Sequence, residues 1–155
     1  MKKINWKTLL ISVAISLGTG VLAAILSRSG AGFYETIDQP KFLPPSWLFP
    51  VVWTALYILM GISAYMIYES TCPSRRRALA VYAAQLAVNF IWTLVFFNAR
   101  AFLLAFILII VLWILIITMI ALFHKCRPTA AYLQVPYFLW VTFAAYLTWS
   151  IYVLN

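Results

Sequence analysis

Acidic residues are scarce in this chain, with three Asp and Glu among 155 residues against eleven Lys and Arg. Only 9% of positions are charged, where a soluble domain carries roughly a quarter. That shortage excludes a soluble cytosolic enzyme, a disordered chain and a disulfide scaffold. The single histidine, His124, has no Cys, Asp or Glu at metal-ligand spacing, so the sequence points to no metal site. What the chain does have is apolar surface: 66% hydrophobic and 17% aromatic residues. A polytopic membrane protein is the class that remains.

The charged residues leave five intervals without charge, 8–27, 42–68, 78–99, 101–124 and 128–155, of 20, 27, 22, 24 and 28 residues. A helix needs about 20 residues to cross a hydrocarbon core of about 30 Å, so each interval holds one span and none holds two. The apolar runs lack the alternation of an outer-membrane barrel. The reading is therefore all-α, a single membrane domain over residues 1–155 with helices at about 8–27, 46–68, 78–97, 102–124 and 130–153. Residues 8–27 are too long for a signal-peptide core, and Arg28 disfavours cleavage, so this segment is expected to remain as the first span.

An odd number of spans puts the termini on opposite sides. The side of the N-terminus holds Lys2, Lys3, Lys7, Arg75, Arg76, Arg77, Lys125 and Arg127, whereas the other holds Arg28, Lys41 and Arg100. Eight against three predicts a cytoplasmic N-terminus in a multi-pass protein of the cell membrane. The net charge of +8 then reads as topology and attraction to lipid headgroups, not nucleic-acid binding. Cys72 and Cys126 fall on the basic side, where a reducing cytoplasm is expected to keep them as thiols.

The first span carries Ser12, Ser16, Gly20 and Ala24 at four-residue intervals, a small-residue ridge for close helix packing. The second starts after Pro44 and Pro45, with Ser46 as candidate cap and Pro50 within the first turn. Gln85, Asn89, Trp92 and Phe96 share one face of the third, and the two amides should turn inward because lipid offers them no partner. They serve equally as interhelical glue or as a ligand site. The fourth span shows no amphipathic stripe and is expected mainly to face lipid. In the fifth, Pro136 is expected to bend the helix ahead of Tyr137, Trp140, Ala144 and Leu147. The connection from Arg28 to Ser46 is long and mixed in character, which suggests a lid hinged at Gly30 and Gly32 over the mouth opposite the basic side. Alanines 80, 83, 84 and 87 offer a possible self-association ridge.

Three motifs resemble those of one family. They are Pro40-Lys41-Phe42-Leu43-Pro44-Pro45 followed by Phe49-Pro50-x-Val52-Trp53-x-x-Leu56-Tyr57-x-x-Met60-Gly61, then Gln85-Leu86-x-x-Asn89-Phe90-x-Trp92-x-x-x-Phe96-Phe97, then Pro136-Tyr137-x-x-Trp140-x-x-Phe143-Ala144-x-x-Leu147. Together they look like the TspO/MBR family, the translocator or tryptophan-rich sensory proteins that include the peripheral-type benzodiazepine receptor. The resemblance implies a five-helix bundle, often dimeric, with a pocket under the first loop. It also implies ligands such as protoporphyrin IX, isoquinoline carboxamides and benzodiazepines, with no required cofactor. The lining residues it implies are Tyr34, Pro44, Trp53, Gln85, Asn89, Phe90, Trp140, Phe143 and Ala144. Animal members end the last helix with a basic residue in a sterol motif. Here Tyr152-Val153-Leu154-Asn155 lacks that residue, which favours a prokaryotic-type member.

Three functions follow as expectations. The first is a membrane receptor for flat aromatic ligands, with indole faces stacking on a macrocycle for about 0.5–1.5 kcal/mol each, and with Arg28 or Lys41 placed to pair a propionate. The second is light- and oxygen-dependent porphyrin degradation, in which Trp53 and Trp140 act as redox partners. The sequence offers no acid–base pair for any other chemistry. The third is passive transport of porphyrin, lipid or sterol, because no charge lies mid-membrane to couple an ion.

Overall fold

The computed structural model describes residues 3–155, so Lys2 of the basic side lies outside the described residues. Among the described residues the chain is helical, without strands. Helix α1 is Trp6–Leu26, and a short α2, Arg28–Ala31, runs into a 3-10 turn, Gly32–Glu35. Then come α3, Leu48–Tyr68, and α4, Arg75–Leu94, which continues as a π-helical turn over Val95–Ala99. The last elements are α5, Phe102–Cys126, the short α6, Pro128–Tyr132, and α7, Val135–Leu154. Five segments are long and apolar enough to cross a membrane: α1, α3, α4 with its π-turn, α5, and α6 with α7. They pack as α1 on α3 and α4, α4 on α5, and α5 on α7, while α6 meets α3.

The small-residue ridge of α1 makes the α1–α3 contact. Ser12 Oγ donates to the carbonyl of Gly61 and Ser16 Oγ to that of Tyr57, both at 2.7 Å. Gly20 lies so close to the Tyr57 ring that a Cβ there would overlap it, and a Cβ on Gly61 would overlap the Val13 backbone. Ala24 is the exception. It is exposed, and Ala23 beside it takes the buried place.

Four other expectations are corrected and one is refined. Helix α3 begins at Leu48 with Trp47 at its cap position, so Ser46 does not cap it. Helix α5 mainly faces lipid, and it also has an inner side, where Ala105, Ile109, Leu112, Ile116, Met119 and Phe123 form a buried stripe. The stripe is invisible in sequence since its lipid-facing neighbours are equally apolar. The fifth span is not one bent helix but is interrupted at Leu133 and Gln134. Pro136 falls in the first turn of α7, where its missing N–H leaves no broken bond. The interruption frees Gln134 to turn inward, where its amide donates to Ser63 Oγ at 2.7 Å.

The glycines of the first loop lie in helical turns with negative φ, Gly30 in α2 and Gly32 at the start of the 3-10 turn, and Gly30 is not placed as a hinge. Gly30 is buried against the Phe97 carbonyl instead, with no room for a Cβ. Finally, Cys72 and Cys126 are not thiols but form a disulfide across 54 residues of sequence.

The turn between the π-segment and α5 is made by Arg100, the one non-glycine among the described residues with positive φ, at 52°. A side chain in this left-handed region costs about 1–2 kcal/mol. The Arg100 guanidinium lies 5.0 Å from the Phe33 ring centre, a cation–π contact that offsets part of that cost and ties the first loop down.

Candidate ligand site between three spans

Helix α4 brings Gln85 and Asn89 one turn apart on its inner face, both fully buried. Because lipid supplies no hydrogen bonds, the surrounding helices do. Tyr137 of α7 donates its hydroxyl hydrogen to Gln85 Oε1 at 2.7 Å. The Asn89 amide donates to Tyr57 Oη at 3.1 Å and to Tyr137 Oη at 3.3 Å, and the Gln85 amide points to Met60 Sδ at 3.8 Å. Three spans therefore meet through one polar knot. Tyr57 and Tyr137 were not among the expected site residues. The signal for them was available, since a tyrosine buried at that depth needs a partner for its hydroxyl and amides stand on the neighbouring face.

Aromatic rings continue from this knot. Trp53 lies 5.7 Å from Tyr57 and 6.3 Å from both Tyr137 and Trp92, centre to centre. Trp92 stacks on Phe96 at 5.6 Å, and Phe96 meets Tyr34 at 6.4 Å. From Tyr34 the chain of rings passes to Phe49 at 6.3 Å, Trp140 at 5.7 Å and Phe143 at a further 5.7 Å. Seven of the nine expected residues thus fall in one neighbourhood, with Ala144 buried one turn beyond Trp140. Pro44 and Phe90 are half-buried and stand outside the chain of rings. Trp92, Phe96 and Phe49 belong to it without having been expected to line the site.

Three buried polar atoms of this cluster have no partner: Asn89 Oδ1, Trp92 Nε1 and Trp140 Nε1. Leaving such a group unsatisfied costs about 1–3 kcal/mol. The cluster therefore holds one acceptor and two indole donors whose hydrogen bonds the protein does not supply. Among the described residues no three His, Cys, Asp or Glu side chains come together to hold a metal.

The first loop covers this end of the bundle. Phe33 is buried and touches the rings of Phe96, Phe97 and Phe102. Asn98 donates to the Leu26 carbonyl at 2.9 Å. Further along, Asn155 holds both backbone groups of Asp38, accepting from its N–H at 3.1 Å and donating to its carbonyl at 3.2 Å. Burial among the rings pushes the Tyr34 hydroxyl up to about 12, so it stays neutral at physiological pH. Arg28 and Lys41 are exposed on the same loop.

Sequence comparison agrees with this architecture. A profile of the TspO/MBR family matches residues 10–154. The chain belongs to the TspO/MBR family. It is 34% identical to the tryptophan-rich protein TspO of Archaeoglobus fulgidus, over 97% of this chain and 99% of that one. It is 33% identical to TspO of Chlorobaculum tepidum, over 96% of each chain. The translocator protein of Bos taurus is 33% identical, over 88% of this chain and 83% of its own. A multi-pass membrane protein of the translocator and sensory type is the description these findings support.

Proposed function

We propose that this protein is a membrane receptor for protoporphyrin IX and related flat hydrophobic molecules, isoquinoline carboxamides and benzodiazepines among them, bound between α3, α4 and α7 under the first loop. The observation that carries the reading is the set of three unpartnered polar atoms among the rings of Trp53, Trp92 and Trp140. Indole faces suit a wide π-surface, and the two indole N–H groups and the Asn89 carbonyl suit its polar rim. In this reading Arg28 and Lys41 pair propionates at the mouth. The family membership supports it, and the positive-inside rule supports a cytoplasmic N-terminus. The exposed alanines 80, 83, 84 and 87 of α4 are a surface on which two copies would associate.

Porphyrin quenching of tryptophan fluorescence tests the site. Trp140→Ala is expected to weaken binding about tenfold, roughly 1.4 kcal/mol, and unchanged affinity would count against the site. A second reading, photo-oxidation of the bound porphyrin, is favoured by the short succession Trp53, Tyr57 and Trp92, which gives an excited macrocycle nearby redox partners. Illumination of reconstituted protein with protoporphyrin IX and oxygen separates the two. A new absorbance band present in wild type and lost in the Trp53→Phe, Trp140→Phe double variant supports turnover, and identical spectra support binding alone.

A further inference from the structure

The disulfide between Cys72 and Cys126 lies on the face that carries most of the basic residues. Two general rules pull apart there. The excess of Lys and Arg places that face in the cytoplasm, yet cytoplasmic thiol pools leave few lasting disulfides, and those that occur are commonly transient or redox-sensing. We propose that Cys72–Cys126 is a reversible thiol–disulfide clasp, opened by a cytoplasmic dithiol reductant and closed again by exchange with an oxidised dithiol.

The bond is reachable. Both cysteines are half-buried and line an open hollow of about 500 Å³ together with Thr71, Pro73 and Lys125. Lys125, which precedes Cys126 directly, and Glu69 line the same hollow. In the opening step a thiolate of the reductant attacks one sulfur. The S–S bond breaks, a mixed disulfide forms, and the departing cysteine takes up a proton. The reductant's second thiol then attacks the mixed disulfide and releases the other cysteine. Two electrons and two protons pass to the protein, and the reductant ends as a disulfide.

The clasp joins two corners of the bundle. Cys72 lies between α3 and α4, whereas Cys126 ends α5 and Arg127 alone separates it from α6. When the bond opens, the Arg75 guanidinium still holds the carbonyls of Tyr68 and Ser70, each at 3.2 Å, so the end of α3 stays capped. What is freed is the corner between α5 and α6. That corner leads through Gln134 into α7 and Tyr137, while Ser63 Oγ keeps its bond to the Ala130 carbonyl at 3.1 Å, so α6 stays on α3 and the fifth span stays in place.

The test uses wild-type protein in the membrane of cells that express it. Cells are quenched in acid, free thiols are tagged with maleimide-polyethylene glycol, and the mass shift is read on a non-reducing gel. Growing cells should give two tags, cells treated with diamide none within minutes, and cells washed free of diamide two again. Cys72→Ser and Cys126→Ser should each give one tag before diamide. After dithiothreitol, a membrane-impermeant maleimide should reach the pair in inverted vesicles and not in sealed right-side-out ones. A pair that stays untagged in growing cells, stays tagged under diamide, or is reached from the outer side overturns the proposal.

Discussion

Tyr137 gives its hydroxyl hydrogen to Gln85 and receives one from Asn89, so a single phenol oxygen ties two turns of α4 to α7. Phenylalanine there would keep the ring and remove both bonds, leaving two buried amides short of a partner. Tyr137→Phe is expected to cost about 1–2 kcal/mol, the upper range for interhelical bonds within membranes. A lower thermal midpoint in detergent would register the loss, whereas an unchanged midpoint would mean that the amides are bonded elsewhere. The inward turn of Gln85 and Asn89 was legible, because transfer of an unsatisfied amide into lipid dictates it. Their partners were less so, since 52 residues separate Gln85 from Tyr137 and periodicity along one helix says nothing about which face of another it meets. Asn155 was not legible at all. Its two bonds to Asp38 reach across 117 residues of sequence.

Helix α1 is held to α3 by serines on carbonyls and by glycines in contact, and the two glycines near its middle are not equivalent. Gly18 has nothing within 4 Å of an added Cβ, while one at Gly20 would overlap the Tyr57 ring. Gly18→Ala is expected to be neutral or to stabilise by up to about 1 kcal/mol through helix propensity. Gly20→Val is expected to destabilise by about 1–3 kcal/mol, and paired unfolding curves of the two variants check the contrast. Equal midpoints would show that α1 does not press on α3 at that level.

The loop between α1 and α3 offers a second test, provided that the ligand sits beneath it. Asn155→Ala removes both bonds to Asp38, so porphyrin should leave about threefold to tenfold faster in stopped-flow dissociation, as expected for losing an exposed pair worth about 0.5–1.5 kcal/mol in total. The five spans themselves were legible because charges must stop where hydrocarbon begins. The break at Leu133 and Gln134 was not, as Pro136 is equally compatible with a kink and with a helix start. Nor was the buried stripe of α5, where every candidate face is apolar and no contrast marks the inner one.

Among the described residues the polar groups sort by depth. Lys and Arg lie in the N-terminal segment, the end turns of the spans or the connections, and the three acids, Glu35, Asp38 and Glu69, lie in the connections. The shared interior of α3, α4 and α7 is held instead by amides and phenols, with indole rings packed against them. Neutral dipoles suffice to specify how three apolar rods meet, and they avoid the desolvation penalty of buried ions. The arrangement also has an electrical consequence. A membrane potential does work only on charge displaced across the hydrophobic layer, about 2.3 kcal/mol per elementary charge per 100 mV, and this interior offers it none to move. Apart from whatever charge a guest carries in, the bundle should therefore respond alike in energised and de-energised bilayers, with no gating current when the voltage is stepped.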